Sequence, residues 1–139
     1  MPIKSIMPIN LVAEEGTSLS SGSLRLYARL SPLPSPLSTP IVGCVDLYNY
    51  DPVNKRAAVG IMVASDYRRQ GYGLAMLHGL ASMAEDTFNI HLLYADIASP
   101  NTASLALFRK AGYTQCGHFK EWLEYDSHFI DNIRMQLII

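Results

Sequence analysis

Between Arg56 and Ala98 the chain reads RAAVGIMV, then ASDYRRQGYG, then a helical run, then HLLYADIA. This order limits the fold more than any other feature of the sequence. RAAVGIMV is short, apolar and bounded by turn residues, as a strand is. After Gly73, apolar side chains recur at Leu74, Leu77, Leu80 or Ala81, Ala84 and Phe88, the spacing of a helix with one buried stripe. HLLYADIA, His91–Ala98, is apolar enough to lie centrally in a sheet. Strand, helix, strand in that order predicts a parallel pair joined by a right-handed crossover.

The connection DYRRQGYG, Asp66–Gly73, carries two arginines and two glycines at the entry to the helix. The first turn of a helix presents backbone N–H groups without intrahelical partners and a partial positive charge. Glycines there let an anion reach the backbone, and Arg68 and Arg69 add charge beside it. The stretch is suited to holding phosphate. The P-loop pattern G-x-x-x-x-G-K-[ST] does not occur, and the third glycine of the dinucleotide fingerprint would fall on Met76, so the phosphate ligand is of another kind.

The flanking sequence predicts an antiparallel meander before this unit. LRLYARL alternates, with Leu24, Leu26, Ala28 and Leu30 on one face. The prolines of SPLPSPLSTP favour an extended loop, IVGCVDLY (Ile41–Tyr48) is a second strand, and NYDPVNK supplies turn residues before Arg56. After HLLYADIA, SPN offers a cap to a short amphipathic helix in TASLALFRKAGY, with Lys110 in its last turn and Gly112 as its stop. YTQCGHFKEWLEY and FIDNIRMQLII read as two strands around a turn at Asp126–His128. Residues 1–23 are weakly patterned, a poorly ordered leader or one short strand, and residues 24–139 are expected to form a single domain.

A length of 139 residues suits one core, and the net charge of −1 gives no overall attraction to nucleic acid or anionic lipid. Cys44 and Cys116 are too few for a disulfide framework and lack zinc spacing, and both are expected to pack as small hydrophobes. Lys4 is not followed by an apolar block of signal-peptide length, and no stretch approaches a membrane span. These features predict a soluble cytoplasmic protein. The four histidines form no metal-like cluster in sequence.

RRQGYG, with VGIMV before it, YADI one helix later and then NTASLALFRKAGY, resembles the R/Q-x-x-G-x-G/A signature and element order of the GNAT superfamily of N-acetyltransferases. The likeness covers about Leu24–Ile139 and looks like the branch of spermidine acetyltransferases and ribosomal-protein alanine acetyltransferases, with a shortened N-terminal region. It implies an α/β (α+β) fold: a mixed, mostly antiparallel sheet whose central parallel pair splays to admit CoA. It further implies that Arg68, Arg69, Gln70, Gly71, Tyr72 and Gly73 hold the pyrophosphate of acetyl-CoA. Ile61, Met62 and Val63 would pair with the pantetheine arm, and a backbone N–H on that strand would polarise the thioester carbonyl. Asn101 resembles a pantetheine-binding asparagine but also suits a helix cap, and Lys110 is either a ligand of the terminal phosphate or a helix C-terminal charge.

The implied reaction is direct acetyl transfer from acetyl-CoA to a primary amine, of a small molecule such as a polyamine or of a protein N-terminus, with no metal. The alternative is a non-catalytic acyl-CoA-binding or regulatory module. The chain departs from the family pattern in three places. Phe108 stands where many relatives carry a tyrosine acid, and Ala58 and Val59 occupy the strand where several carry a glutamate. Asp96 and Tyr94, on one face of the central strand, are the nearest groups able to handle protons, with an orienting carboxylate and a buried ring as their alternative roles. Relatives also begin with a strand and two helices that wall the acceptor site, whereas here only residues 1–23 and a proline-rich loop are available. An open site, closure by a second subunit in a homodimer, or a cofactor-binding form without efficient turnover each fit that difference.

Overall fold

The computed structural model describes residues 9–30 and 40–139. Strands β1 (Ile9–Ala13), β2 (Leu24–Leu30), β3 (Ile41–Asp51) and β4 (Arg56–Val63) lead into helix α1 (Tyr72–Asp86). Strand β5 (Leu92–Ala98), helix α2 (Thr102–Lys110) and strands β6 (Thr114–Tyr125) and β7 (His128–Ile138) complete the chain. The seven strands of the described residues form one sheet in the order β1-β2-β3-β4-β5-β7-β6, in which β4 and β5 are parallel and the other neighbours antiparallel. The predicted meander, crossover and terminal hairpin are all present.

Local chemistry accounts for the element ends. Between Tyr48 and Asp51 the β3–β4 register shifts, with Asn49 at φ +51°, so the strand runs past Tyr48 into the expected turn. There the Asp51 carboxylate accepts hydrogen bonds from the backbone N–H of Val53 and of Asn54, both at 3.0 Å. Asp126 and Ser127 both adopt positive φ, as a two-residue hairpin turn requires. In the described part of the N-terminal segment Ile9–Ala13 forms a short strand, paired antiparallel with β2, and Leu19 joins the core; residues 1–8 and the proline-rich loop lie outside the described residues.

The pleat separates two unlike faces. On one face Leu24, Leu26 and Ala28 of β2, Val45 and Leu47 of β3, Leu93 and Ala95 of β5 and Ile133 and Met135 of β7 form a core with Met76, Leu77, Leu80 and Ala84 of α1 and Phe108 of α2. Met76 thus belongs to the buried stripe, while Leu74 at its margin is only half-buried. Both helices lie on this face: a side chain at Gly73 of α1 would meet Leu107 of α2 at 3.1 Å. The opposite face carries Arg25, Asp46, Tyr48, Tyr94, Asp96 and Arg134, and among the described residues no α-helix covers it. No described helix is long and apolar enough to cross a membrane.

Candidate functional site

The parallel pair opens soon after it begins. β4 and β5 are in register only at Arg56 with Leu92, Ala57 with Leu93 and Ala58 with Tyr94. Beyond Ala58 the edge of β4 that faces β5 has no strand partner among the described residues, leaving backbone polar groups for an extended ligand to pair with. A cavity of about 220 Å³ fills the gap, lined by Val59, Gly60 and Ile61 of β4, Ala95–Ala98 of β5, Asn101, Ser104 and Phe108 around α2, and Tyr48 of β3. Its lining therefore includes residues from both faces of the sheet. Gly60 faces Tyr48 across the strand pair, where a Cβ would lie 3.7 Å from the Tyr48 ring.

The RRQGYG turn lies at the far end of β4. Arg69 and Gly71 take φ of +62° and +91°, and Gly71, as the N-cap of α1, supplies no side chain. The first i to i−4 bond of α1 runs from the Ala75 N–H to the Gly71 carbonyl at 3.1 Å, so the N–H groups ahead of it lack intrahelical acceptors. The Arg68 Nε donates to the Val63 carbonyl at 2.9 Å, tying the turn to the end of β4, and the Gln70 side chain donates to the Asp66 carbonyl at 2.9 Å. Arg68, Arg69 and Gln70 are exposed. This turn suits a diphosphate, and the open β4 edge suits the amide-bearing arm that would follow it.

A family model described as an acetyltransferase (GNAT) domain matches residues 25–114, more than half of the chain. The chain belongs to the GNAT acetyltransferase family. It is similar to the spermidine N(1)-acetyltransferase of Vibrio cholerae serotype O1 (strain ATCC 39315 / El Tor Inaba N16961), at 20% identity over 98 residues, which is 70% of this chain and 57% of that protein. The chain thus spans little more than half the length of that curated relative. Among solved structures, spermidine N-acetyltransferase from Vibrio cholerae in complex with CoA and spermine superimposes with a TM-score of 0.77 at 18% identity, covering 86% of this chain and 67% of that one. A dodecameric form of spermidine N-acetyltransferase from the same organism gives 0.74, also at 18%, covering 84% and 65%. These likenesses show the GNAT fold.

Within that fold the expected site residues separate into groups. Ile61, Asp96 and Asn101 line the cleft. Asn101 is also the N-cap of α2, its side-chain oxygen accepting from the Ser104 N–H at 3.1 Å, so both roles considered for it are compatible with its place. Met62 is 56% exposed on the bare face, and Val63 closes β4 against the turn. Tyr94 does not line the cleft; its ring lies under the Arg134 guanidinium, 4.6 Å from the centroid. Lys110 ends α2 and is exposed, outside the cleft lining. Cys44 is buried as expected, whereas Cys116 is exposed, because it lies on β6, the edge strand of the sheet, where its neighbours Thr114 and Gln115 are exposed too.

Asp96 is engaged. Its two oxygens accept from Arg134 Nε at 2.8 Å and Nη2 at 3.0 Å, and Asn132 donates to it at 3.0 Å. The Arg134 hydrogen bond, aided by Asn132, holds this carboxyl below its ordinary range against the opposing effect of burial. A carboxylate so stabilised is a weak base. Phe108 is 2% exposed and packs edge-on to Tyr113 at 4.9 Å, offering no proton.

Tyr48 is the group that sequence reasoning passed over. It lines the cleft, and burial raises its phenol above the ordinary tyrosine range, with the nearby negative charge of Asp96 acting in the same direction. In the sequence it is one more alternating residue of IVGCVDLY. The available signal was cross-strand: Ala58 and Gly60, the small residues it faces, leave room for its ring.

Proposed function

We propose that this protein is a cytoplasmic acetyl-CoA-dependent N-acetyltransferase acting on a primary amine. The observation that carries this reading is the early end of the β4–β5 pairing, which opens a cleft through the sheet from the helix-bearing face, where the RRQGYG turn lies, to Tyr48 on the bare face. Acetyl-CoA supplies an activated acyl group whose C–S bond is exchanged for a C–N bond. The N–H groups at the start of α1, with Arg68 and Arg69, bind the diphosphate, while the edge from Val59 to Val63 aligns the pantetheine arm. Asn101 holds the arm from the α2 side, and Phe108 excludes water from the cleft.

Tyr48 holds a proton at its hydroxyl oxygen and delivers it to the departing sulfur. The raised pKa keeps that phenol protonated through the neutral range. Water takes up the proton that the amine nitrogen loses, and the phenol regains its own from solvent. Asp96 and Arg134 act as positioning residues beside it. Tyr48→Phe is expected to leave CoA binding intact while lowering kcat by about a hundredfold, the lower range for loss of a proton-transfer group.

The test is thiol release from acetyl-CoA across an amine panel, beside calorimetry with CoA. Saturable heat with amine-dependent release supports the transferase. Heat without release above hydrolysis supports a non-catalytic acyl-CoA-binding module, a reading favoured by Phe108 in the cleft and by the occupied Asp96. Absence of heat refutes both. We infer in addition a homodimer, since Trp122, Tyr125 and Phe129 are 63%, 71% and 59% exposed at the β6–β7 turn end; a monomer by sedimentation would refute it.

A further inference from the structure

The bare face carries a second and larger cavity, of about 630 Å³, beside the Tyr48 end of the cleft. Tyr48 lines both cavities, so an amine held in the larger one lies next to the splay. Besides Gly16, Leu24 and Leu47, the lining consists of the hydroxyl-bearing Thr17, Ser18, Ser21 and Ser23 and one charged pair, Arg25 with Asp46. That pair is bidentate: Arg25 Nε and Nη2 reach the two Asp46 oxygens at 2.7 and 2.8 Å. Asp96, the carboxylate in the cleft, is held the same way by Arg134.

Each carboxylate lining the path is therefore neutralised by its own guanidinium. Glu14 is nearby, its carboxylate 3.5 Å from the hydroxyl of Tyr27, but it does not line the cavity. All 12 Asp and Glu residues lie in the described parts of the chain, and no three His, Cys, Asp or Glu side chains among the described residues converge. A polyamine needs several unpaired carboxylates to replace the water around its ammonium groups. Here each additional ammonium would leave water for a site that is already charge-balanced and would approach an arginine.

We propose that this path admits a small amine with a single cationic group and a neutral polar tail, and disfavours a polyamine, because Arg25 and Arg134 occupy the carboxylates a polyamine would need. Arg25 and Arg134 are thus specificity-determining residues. The assignment rests on the transferase reading and adds the charge class of the acceptor to it.

The experiment compares 6-amino-1-hexanol, 1,6-diaminohexane and spermidine, which carry one, two and three amines at similar reach. Two readouts are taken: kcat/KM for thiol release, and calorimetric binding to the CoA-loaded protein. 6-Amino-1-hexanol is expected to lead spermidine by about fivefold in each, the upper end for one exposed charge pair. Arg25→Gln, which frees Asp46, should move the ratio towards spermidine by a similar factor with CoA affinity unchanged. The double variant Arg25→Gln/Asp46→Asn, again charge-balanced, should return it to the wild-type value, an outcome that a purely structural effect of Arg25 would not give. Preference for spermidine in the wild type, an unmoved ratio in Arg25→Gln, or no amine binding to the CoA-loaded protein overturns the proposal. The predicted binding order without thiol release would instead refute the transferase reading alone.

Discussion

Replacing Arg134 by Met keeps an unbranched side chain beside Tyr94 and Phe119 while removing the charge that holds Asp96. In the native protein the guanidinium makes two charge-assisted bonds, at 2.8 and 3.0 Å, between side chains that are 40% and 31% exposed. Hydrogen bonds to charged groups contribute about 1.5–3 kcal/mol when well buried, and exposed ion pairs about 0.2–1 kcal/mol. The half-exposed geometry places the coupling between these limits, at about 1–1.5 kcal/mol in a double-mutant cycle with Asp96→Asn. Arg134→Met alone should cost more, about 2 kcal/mol at pH 7, because Asp96 keeps only Asn132 as a partner. The pH dependence follows from the lowered Asp96 pKa. A folded-state value below the unfolded value, near 3.9, contributes stability that is complete above that value and is lost as pH falls through the folded one. The gap between wild type and Arg134→Met should therefore be widest at neutral pH and narrow progressively as pH falls from the unfolded value towards the lowered folded one. Urea denaturation at pH 7 and at about pH 3.5, with m-values compared, measures both. A loss independent of pH, or a cycle coupling near zero, would refute the claim that Asp96 is bound as a structural anion and would reopen its candidacy as a base.

Three further outcomes follow from single positions. Gly71→Ala places a Cβ at φ +91°, so it should cost about 1–2 kcal/mol in chemical denaturation and weaken CoA binding in calorimetry; unchanged affinity would detach the turn from the diphosphate. Asn101→Ala removes the cap bond to Ser104 and should cost about 1 kcal/mol, and loss of CoA affinity beyond what Asn101→Ser shows would reveal contact with the ligand. The Tyr113 hydroxyl is buried with no hydrogen-bond partner among the described residues, and burial pushes its pKa upward, so Tyr113→Phe should stabilise the protein by about 1 kcal/mol; a lower thermal midpoint would mean that the hydroxyl is satisfied.

The sequence by itself determined the order and type of the main elements, because each has a periodicity that its own side chains impose. Alternation in LRLYARL, the helical stripe after Gly73, and the cap and stop residues around TASLALFRK are local signals, and local backbone geometry obeys them. The phosphate-suited turn was legible for the same reason, since its glycines and arginines are consecutive. Tertiary structure alone decided which residues meet across the sheet. Tyr48 and Asp96 come from β3 and β5, Arg134 from β7, and their convergence depends on strand order and register, which no short window of sequence contains. The chain presents Asp96 as a carboxylate free to act as a base; pairing with Arg134, 38 residues away, turns it into an anchored anion. Likewise the Asp46 carboxylate is bound by Arg25, which the β2–β3 register places across from it. An ionisable group's chemistry is set by the charges and water around it, and these are fixed only when distant strands pack together.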